Sequence, residues 1–216
     1  MRGLLFAEHY AASSKKEQKE FLDEGLRVSG RGVKALRARC QQDGIPMSPW
    51  PSQNCANDLK KQPGAAEVYY YSGSLLAEWA GVHGAFAAVK SGAAAKIRDF
   101  AQMSVWIDDQ VRYGGGYRML GRLHFMVPHI PFITGWISKK VVLPNLEKAL
   151  AVDPRRKFNR LYYAEALHDL EPAKRLEAIA MVKSLLAEPP DDDLVVEDLQ
   201  LQVDAAKDLE DWTRRR

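Results

Sequence analysis

A run of three glycines inside a helical pattern constrains the fold of this chain most strongly. Gly114, Gly115 and Gly116 interrupt a pattern that resumes at Tyr117 and continues to Phe125. Glycine loses more backbone entropy on folding than any other residue, so three in succession indicate unusual dihedrals or a close approach of the backbone. We therefore predict that one helix ends at the glycines and that another begins at Tyr117.

Two arginines follow the glycines on the predicted helix. Arg118 and Arg122 are four residues apart, which places them on one face. A glycine turn, a helix N-terminus and two cations together suit a carboxylate or a phosphate. The alternative is that both arginines pair with Asp108, Asp109 or Glu165 and hold neighbouring helices together. Both interpretations stay open at this point.

Aromatic side chains surround the same stretch. Tyr113 and Tyr117 bracket the glycines, and Trp79 and Trp106 lie upstream at helical spacing. They either line a cavity or fill the core, which is the usual place of aromatic residues at this spacing. The predicted ligand-binding residues are Trp79, Trp106, Tyr113, Gly114, Gly115, Gly116, Tyr117, Arg118 and Arg122.

Length and charge exclude several classes of protein. A chain of 216 residues predicts one domain that can bury a substantial core. The formal net charge of +3 gives no reason to expect a nucleic-acid partner. No apolar run approaches the roughly 20 residues of a membrane helix. The apolar piece near the start, Leu4 to Ala7, is too short for a signal peptide, so an exported form would be a mature chain.

No arrangement of residues indicates catalysis. Asp108 and Asp109 are adjacent, so on a helix their side chains point about 100° apart and do not share one site easily. His124 and His129 are separated by five positions across Pro128, a poor spacing for metal ligands. Serine-hydrolase, phosphate-loop and cysteine–histidine motifs are also missing from the sequence. We predict a protein that is not an enzyme and has no catalytic residue, metal or cofactor.

Helical periodicity covers most of the chain, and prolines and glycines separate the segments. The predicted helices are 14–39, 65–80, 85–110, 117–126, 144–152, 158–169, 171–187 and 191–216. In the helix over 85–110, an apolar stripe from Phe86 to Ile107 is expected to face the core. In the helix over 191–216, Asp198 interrupts the apolar face, so its first turns are expected to pack loosely. Pro154 and Pro190 lie 36 residues apart, close to the tetratricopeptide period of about 34.

The predicted fold class is all-α, with tetratricopeptide-like helical-hairpin repeats and a capping C-terminal helix. The single domain comprises an N-terminal helix with a proline-rich loop (1–64), the repeats (65–190) and the cap (191–216). Cys40 and Cys55 flank part of the proline-rich loop, where they either form a disulfide or remain two buried thiols. A bridge of this span would contribute about 3 kcal/mol in the chain-entropy model. Trp50 is expected to anchor the loop or to cap a pocket.

The run YGGGYRMLGRLHFMVP resembles the glycine-rich signature of the T-component (TatT) family of TRAP transporters. Upstream, AAEVYYYSGSLLAEWA is similar to the aromatic helix of that family. Downstream, LEKALAVDPRRKFNRLYYAEAL is similar to its penultimate helix pair. The three segments occur in the family's order and extend over residues 65–170.

The resemblance implies a noncatalytic periplasmic accessory protein that binds an apolar or organic-acid ligand, the extracytoplasmic substrate-binding subunit of a TRAP system, or both. It also implies a homo-oligomer, with a trimer favoured. Family members are exported or lipid-anchored, whereas no anchoring cysteine lies near this N-terminus. The alternative is a general tetratricopeptide-like scaffold for another protein, for which Asn159 and the neighbouring Arg155, Arg156 and Lys157 are the only signal.

Overall fold

A computed structural model describes residues 1–214, and within that range the chain is helical without a β-strand. Helices account for 77% of the chain, which confirms the all-α prediction. The α-helices are α1 (Arg2–Tyr10), α2 (Lys15–Gln42), α3 (Gln53–Leu59), α4 (Ala65–His83), α5 (Ala85–Ser91), α6 (Ala93–Ile107), α7 (Val111–Met126), α8 (Val142–Val152), α9 (Lys157–Leu170), α10 (Arg175–Ala187) and α11 (Val195–Arg214). Single 3-10 turns occur at Lys139–Val141 and Pro172–Lys174. The last two arginines, which we expected to favour the end of the final helix, lie outside the described residues.

The long helices pack in chain order. Each of α1, α2, α4, α6, α7, α8, α9, α10 and α11 contacts the next in this series. Alternate members touch as well, since α4 contacts α7, α7 contacts α9 and α9 contacts α11. Helix α7 thus lies at the centre of the fold, against α4, α6, α8 and α9. No helix in residues 1–214 combines the length and the apolar character needed to cross a bilayer.

Most predicted helices are present with ends shifted by a few residues. The predicted start of the helix at residue 14 is confirmed, because Ser14 is the N-cap of α2 and its side chain accepts a hydrogen bond from the Glu17 amide at 3.2 Å. Helix α8 ends where predicted, before Asp153. Helix α10 begins four residues later than predicted, at Arg175, because a 3-10 turn precedes it.

Three other predictions are wrong. Helix α1 was not predicted, and the expected loop over 41–64 contains α3, whose N-cap Ser52 accepts from the Cys55 amide. The single helix expected over 85–110 divides at Gly92, where φ is +65° and a right-handed helix cannot continue. Phe86 is 85% exposed instead of facing the core, because the break at Gly92 separates α5 from the apolar stripe of α6.

Asp198 is buried and paired at the start of α11, where we expected loose packing. Its side chain is 1% exposed and lies 3.3 Å from the ammonium group of Lys157, which is also buried. It accepts a hydrogen bond from the Asp191 amide at 2.9 Å as well. A charged pair therefore occupies the position where we expected loose packing.

The proline-rich segment is fastened to a core formed by α2, α3, α4 and α6. Cys40 and Cys55 are joined by a disulfide in this core, with Cα atoms 5.5 Å apart and both side chains fully buried. Trp50 packs against the same core, with its ring 6.1 Å from that of Tyr69 and the Arg37 guanidinium 4.3 Å above it. Trp50 therefore anchors the loop.

Candidate functional site

The break before the glycines is a single left-handed turn. Arg112, Tyr113 and Gly114 have φ of 48°, 60° and 76°, and the right-handed helix continues from Gly115. Only one of the three glycines thus has positive φ, and two residues with side chains share the unusual conformation. The predicted break is real, but it lies two residues earlier than we expected and the helix restarts before Tyr117.

The other glycines of α7 permit close packing. A Cβ atom on Gly115 would lie 2.4 Å from the ring of Tyr70 on α4, and one on Gly121 would lie 2.6 Å from Leu146 on α8. On Gly116 it would lie 2.6 Å from side chains of α6. These three glycines therefore face α4, α6 and α8 at positions with no space for a side chain.

Arg118 is held by uncharged partners. Its guanidinium donates to the Asn159 Oδ1 at 2.7 Å and to the Tyr70 hydroxyl at 3.2 Å. The ring of Phe158 lies 5.8 Å from the guanidinium carbon. Within residues 1–214, no carboxylate oxygen lies within 4.0 Å of this side chain. Arg118 is therefore a half-buried cation whose charge no nearby carboxylate balances.

Asn159 fixes the left-handed turn to the end of α8. The side chain is fully buried, and its amide nitrogen donates to the carbonyl oxygens of Tyr113 at 3.0 Å, Ala149 at 2.8 Å and Asp153 at 3.0 Å. Its Oδ1 atom accepts from Arg118. One side chain therefore joins α7, α8 and α9 and also orients the unbalanced arginine.

Arg122 has a charged partner. Its guanidinium forms an ion pair with Glu165 on α9 and lies 4.1 Å from the ring centre of Tyr162. Pairing with Glu165 was one of the predicted alternatives, and it is confirmed for Arg122. Asp108 and Asp109 instead accept hydrogen bonds from the amide and the side chain of Gln110. We call the group Tyr70, Arg118, Arg122, Asn159 and Glu165 the arginine junction.

Burial and the two arginines set the electrostatics of the arginine junction. Burial acts to raise the pKa of Tyr70, but the charge and the hydrogen bond of Arg118 bring it below its ordinary value. Burial raises the pKa of Tyr162 to about 12, against the effect of both arginines. The positive charge of Arg118 therefore favours the ionised form of Tyr70.

The two tryptophans lie away from the arginine junction. Trp79 donates from its indole nitrogen to Asp23 on α2 at 2.9 Å. It is nine residues from Tyr70 on α4, which turns it about 180° to the opposite side of that helix. Trp106 packs against the core that contains the disulfide. Both tryptophans therefore pack against core clusters, which is the second of the two alternatives, and neither belongs to the arginine junction.

The two tyrosines beside the glycines also face elsewhere. The ring of Tyr113 lies 3.7 Å below the guanidinium of Arg156, and the ring of Tyr117 lies 5.4 Å from the Lys148 ammonium group on α8. Of the predicted ligand-binding residues, only Arg118, Arg122, Gly115 and, through its carbonyl oxygen, Tyr113 belong to or touch the junction.

Sequence reasoning missed two members of the arginine junction. Tyr70 was not selected, although its predicted helix is rich in aromatics, and Asn159 was assigned only to a scaffold surface. The single signal for Asn159 is a polar residue on the same helix face as Tyr162 and Ala166. Its three carbonyl partners belong to two other segments, which spacing cannot reveal.

Comparison with known proteins does not assign the chain to a family. No protein-family model matches the chain, and no curated protein matches it. The resemblance to the T-component family therefore stays a prediction.

Proposed function

We propose that the protein is a noncatalytic binding protein whose Arg118 holds the carboxylate of a small organic ligand. The observation that carries this proposal is a half-buried guanidinium with hydrogen bonds to neutral groups alone. Partial removal of a cation from water costs free energy unless an anion compensates it. A ligand carboxylate would supply that anion.

The number of N–H donors left for a ligand favours Arg118 over Arg122 as the carboxylate-binding residue. A guanidinium has five N–H donors, and the two hydrogen bonds of Arg118 leave others for a ligand that binds through both carboxylate oxygens. Arg122 is already neutralised by Glu165, so a ligand carboxylate there would displace the ion pair. The rings of Phe158 and Tyr162 beside the two arginines suit an apolar ligand body.

The wider setting of the proposal follows the resemblance described above. We assign the protein to the periplasm as an accessory component of a TRAP-type system, working as a homo-oligomer with the substrate-binding subunit. Alternate helices that touch along α4, α7, α9 and α11 support the tetratricopeptide-like repeat on which this assignment depends. The buried disulfide supports an oxidising compartment.

A matched pair of probes tests the ligand site. Octanoate and octanol differ in the carboxylate, and isothermal titration calorimetry on the full chain measures both. We expect octanoate to bind more tightly than octanol, and Arg118→Gln to weaken octanoate binding at least about tenfold, since charge-assisted hydrogen bonds contribute about 1.5–3 kcal/mol.

Arg155→Gln is the matched control, because Arg155 is exposed and its guanidinium makes no hydrogen bond within residues 1–214. Far-UV circular dichroism checks that both variants keep their helices. Equal octanoate affinity in the wild type and Arg118→Gln would contradict the proposal. Unfolding of Arg118→Gln would show instead that the arginine is needed to hold α4, α7 and α9 together.

Native mass spectrometry tests the wider setting. A closed oligomer that carries a small extra mass would support a transporter-associated binding protein. A bare monomer would favour the scaffold alternative, in which the helices hold another protein and no small ligand.

A further inference from the structure

A second cluster of chemically active side chains lies between α1 and α4, outside the arginine junction. The ligand atoms of Glu8, His9 and Glu78 all lie within 4.8 Å of one another. Glu8 and His9 are adjacent on α1, whereas Glu78 is almost 70 residues later on α4. The fold therefore brings together three possible metal ligands that no sequence motif predicts.

Glu8 gives the independent reason to look for a ligand here. The residue is 2% exposed, and its Oε2 atom is buried without a hydrogen-bond partner in residues 1–214. A buried carboxylate oxygen with no donor is costly, because it loses water and gains nothing in exchange. The second carboxylate of the cluster, Glu78, adds like-charge repulsion instead of compensation.

We propose that Glu8, His9 and Glu78 bind a divalent first-row transition metal ion such as Zn²⁺. Two carboxylates balance the double charge of the ion, and the imidazole nitrogen favours a transition metal over Ca²⁺ or Mg²⁺. The metal supplies the cation that the buried oxygen of Glu8 lacks.

The geometry needs only a small adjustment to bind the ion. Two ligands of a tetrahedral metal ion lie about 3.4 Å apart when each bond is about 2.1 Å long. The present separations of up to 4.8 Å therefore close by at most about 1.4 Å. His9 and Glu78 are exposed, so their side chains can rotate and a metal can enter from solvent. Three protein ligands also leave a coordination position for water or an external ligand.

The site joins the first helix to the body of the protein. Helix α1 contacts α2 and, less extensively, α4. A metal held by Glu8 and His9 on one side and Glu78 on the other would fasten α1 to α4. This proposal is independent of octanoate binding at Arg118, so each can fail without the other.

Calorimetric titration of the full, chelator-treated chain with Zn²⁺ and with Ca²⁺ tests the site. We expect one Zn²⁺ per chain, with Ca²⁺ binding at least about tenfold weaker. His9→Gln and Glu78→Gln should each weaken Zn²⁺ binding at least about tenfold, because loss of even an outer-shell partner costs about 10–100-fold. Zn²⁺ should also slow amide hydrogen exchange in α1 of the wild type.

The matched controls are Glu67→Gln, an exposed glutamate on the same helix as Glu78, and His129→Gln, an exposed histidine. Both should bind Zn²⁺ like the wild type, and circular dichroism should show equal helix content in all variants. Absence of saturable Zn²⁺ binding would overturn the proposal. Affinity that is unchanged in His9→Gln or Glu78→Gln, or reduced equally in the controls, would overturn it as well.

Discussion

Replacement of Asn159 by alanine gives the sharpest test of how the centre of the fold is held. The side chain is fully buried, and its two N–H hydrogens serve three backbone carbonyls at 2.8–3.0 Å. The contact to Ala149 is wholly buried and the contacts to Tyr113 and Asp153 are partly so. The Ala149 carbonyl would keep the Asp153 amide as a donor at 3.2 Å, whereas the carbonyls of Tyr113 and Asp153 would each lose this hydrogen bond with limited access to water.

The expected loss of stability follows from those three groups. A buried polar group without a partner costs about 1–3 kcal/mol, so two partial penalties and the loss of the hydrogen bond to Ala149 give about 2–4 kcal/mol for Asn159→Ala. Urea unfolding followed by far-UV circular dichroism measures this loss as a lower midpoint at an unchanged m-value.

Asn145→Ala is the control, since that side chain makes one hydrogen bond, to the Val141 carbonyl, at an exposed contact. It should cost only about 0.5–1 kcal/mol. A loss below about 1 kcal/mol for Asn159→Ala would refute the reasoning, because the carbonyls of Tyr113 and Asp153 would then have found other partners.

Two further substitutions test the packing and the pH response. Gly115→Ala should destabilise the protein by about 1–3 kcal/mol, because the new Cβ would lie 2.4 Å from the Tyr70 ring. Gly30→Ala has open space around it and should stabilise the protein by about 0.5–1 kcal/mol. Equal urea midpoints for the two variants would contradict this reasoning. Burial and two nearby basic groups lower the pKa of His124, whose Nδ1 accepts from the Ser138 amide at 3.0 Å. The folded state therefore binds a proton less readily than the unfolded chain, so the contribution of His124 is complete above about pH 6.5 and is lost as the pH falls further. Urea midpoints at pH 7.5 and 5.5 should differ less in His124→Gln than in the wild type, and identical differences would show that another group is responsible.

Local patterns predicted the helices well where caps and periodicity agree. Ser14 and Glu17 located the start of α2, and Asp153 located the end of α8. Helix α1 was missed because its apolar piece is short and its stability depends on contacts with α2 and α4. Helix α3 was missed because the surrounding prolines indicated a loop, although Ser52 provides a cap.

The candidate sites were less accessible from sequence, because their partners are distant along the chain. Four-residue spacing correctly placed Arg118 and Arg122 on one face, but it could not decide which of them has a charged partner. That depends on Glu165, which α9 places beside Arg122 only after folding. Glu8 and Glu78 illustrate the same limit, since neither lies in a pattern that predicts metal binding.

The close packing of α7 has a consequence for how this sequence can diverge over evolutionary time. Glycine or asparagine at positions 112 and 113 would relieve the left-handed turn of its Cβ strain, so lineages can change there one residue at a time. Position 115 is different, because a side chain there fits only if position 70 carries a residue smaller than tyrosine. Gly121 has the same relation to Leu146. Descendants of this chain would therefore change together at positions 115 and 70, and likewise at positions 121 and 146. Such covariation would identify the helices that pack against α7.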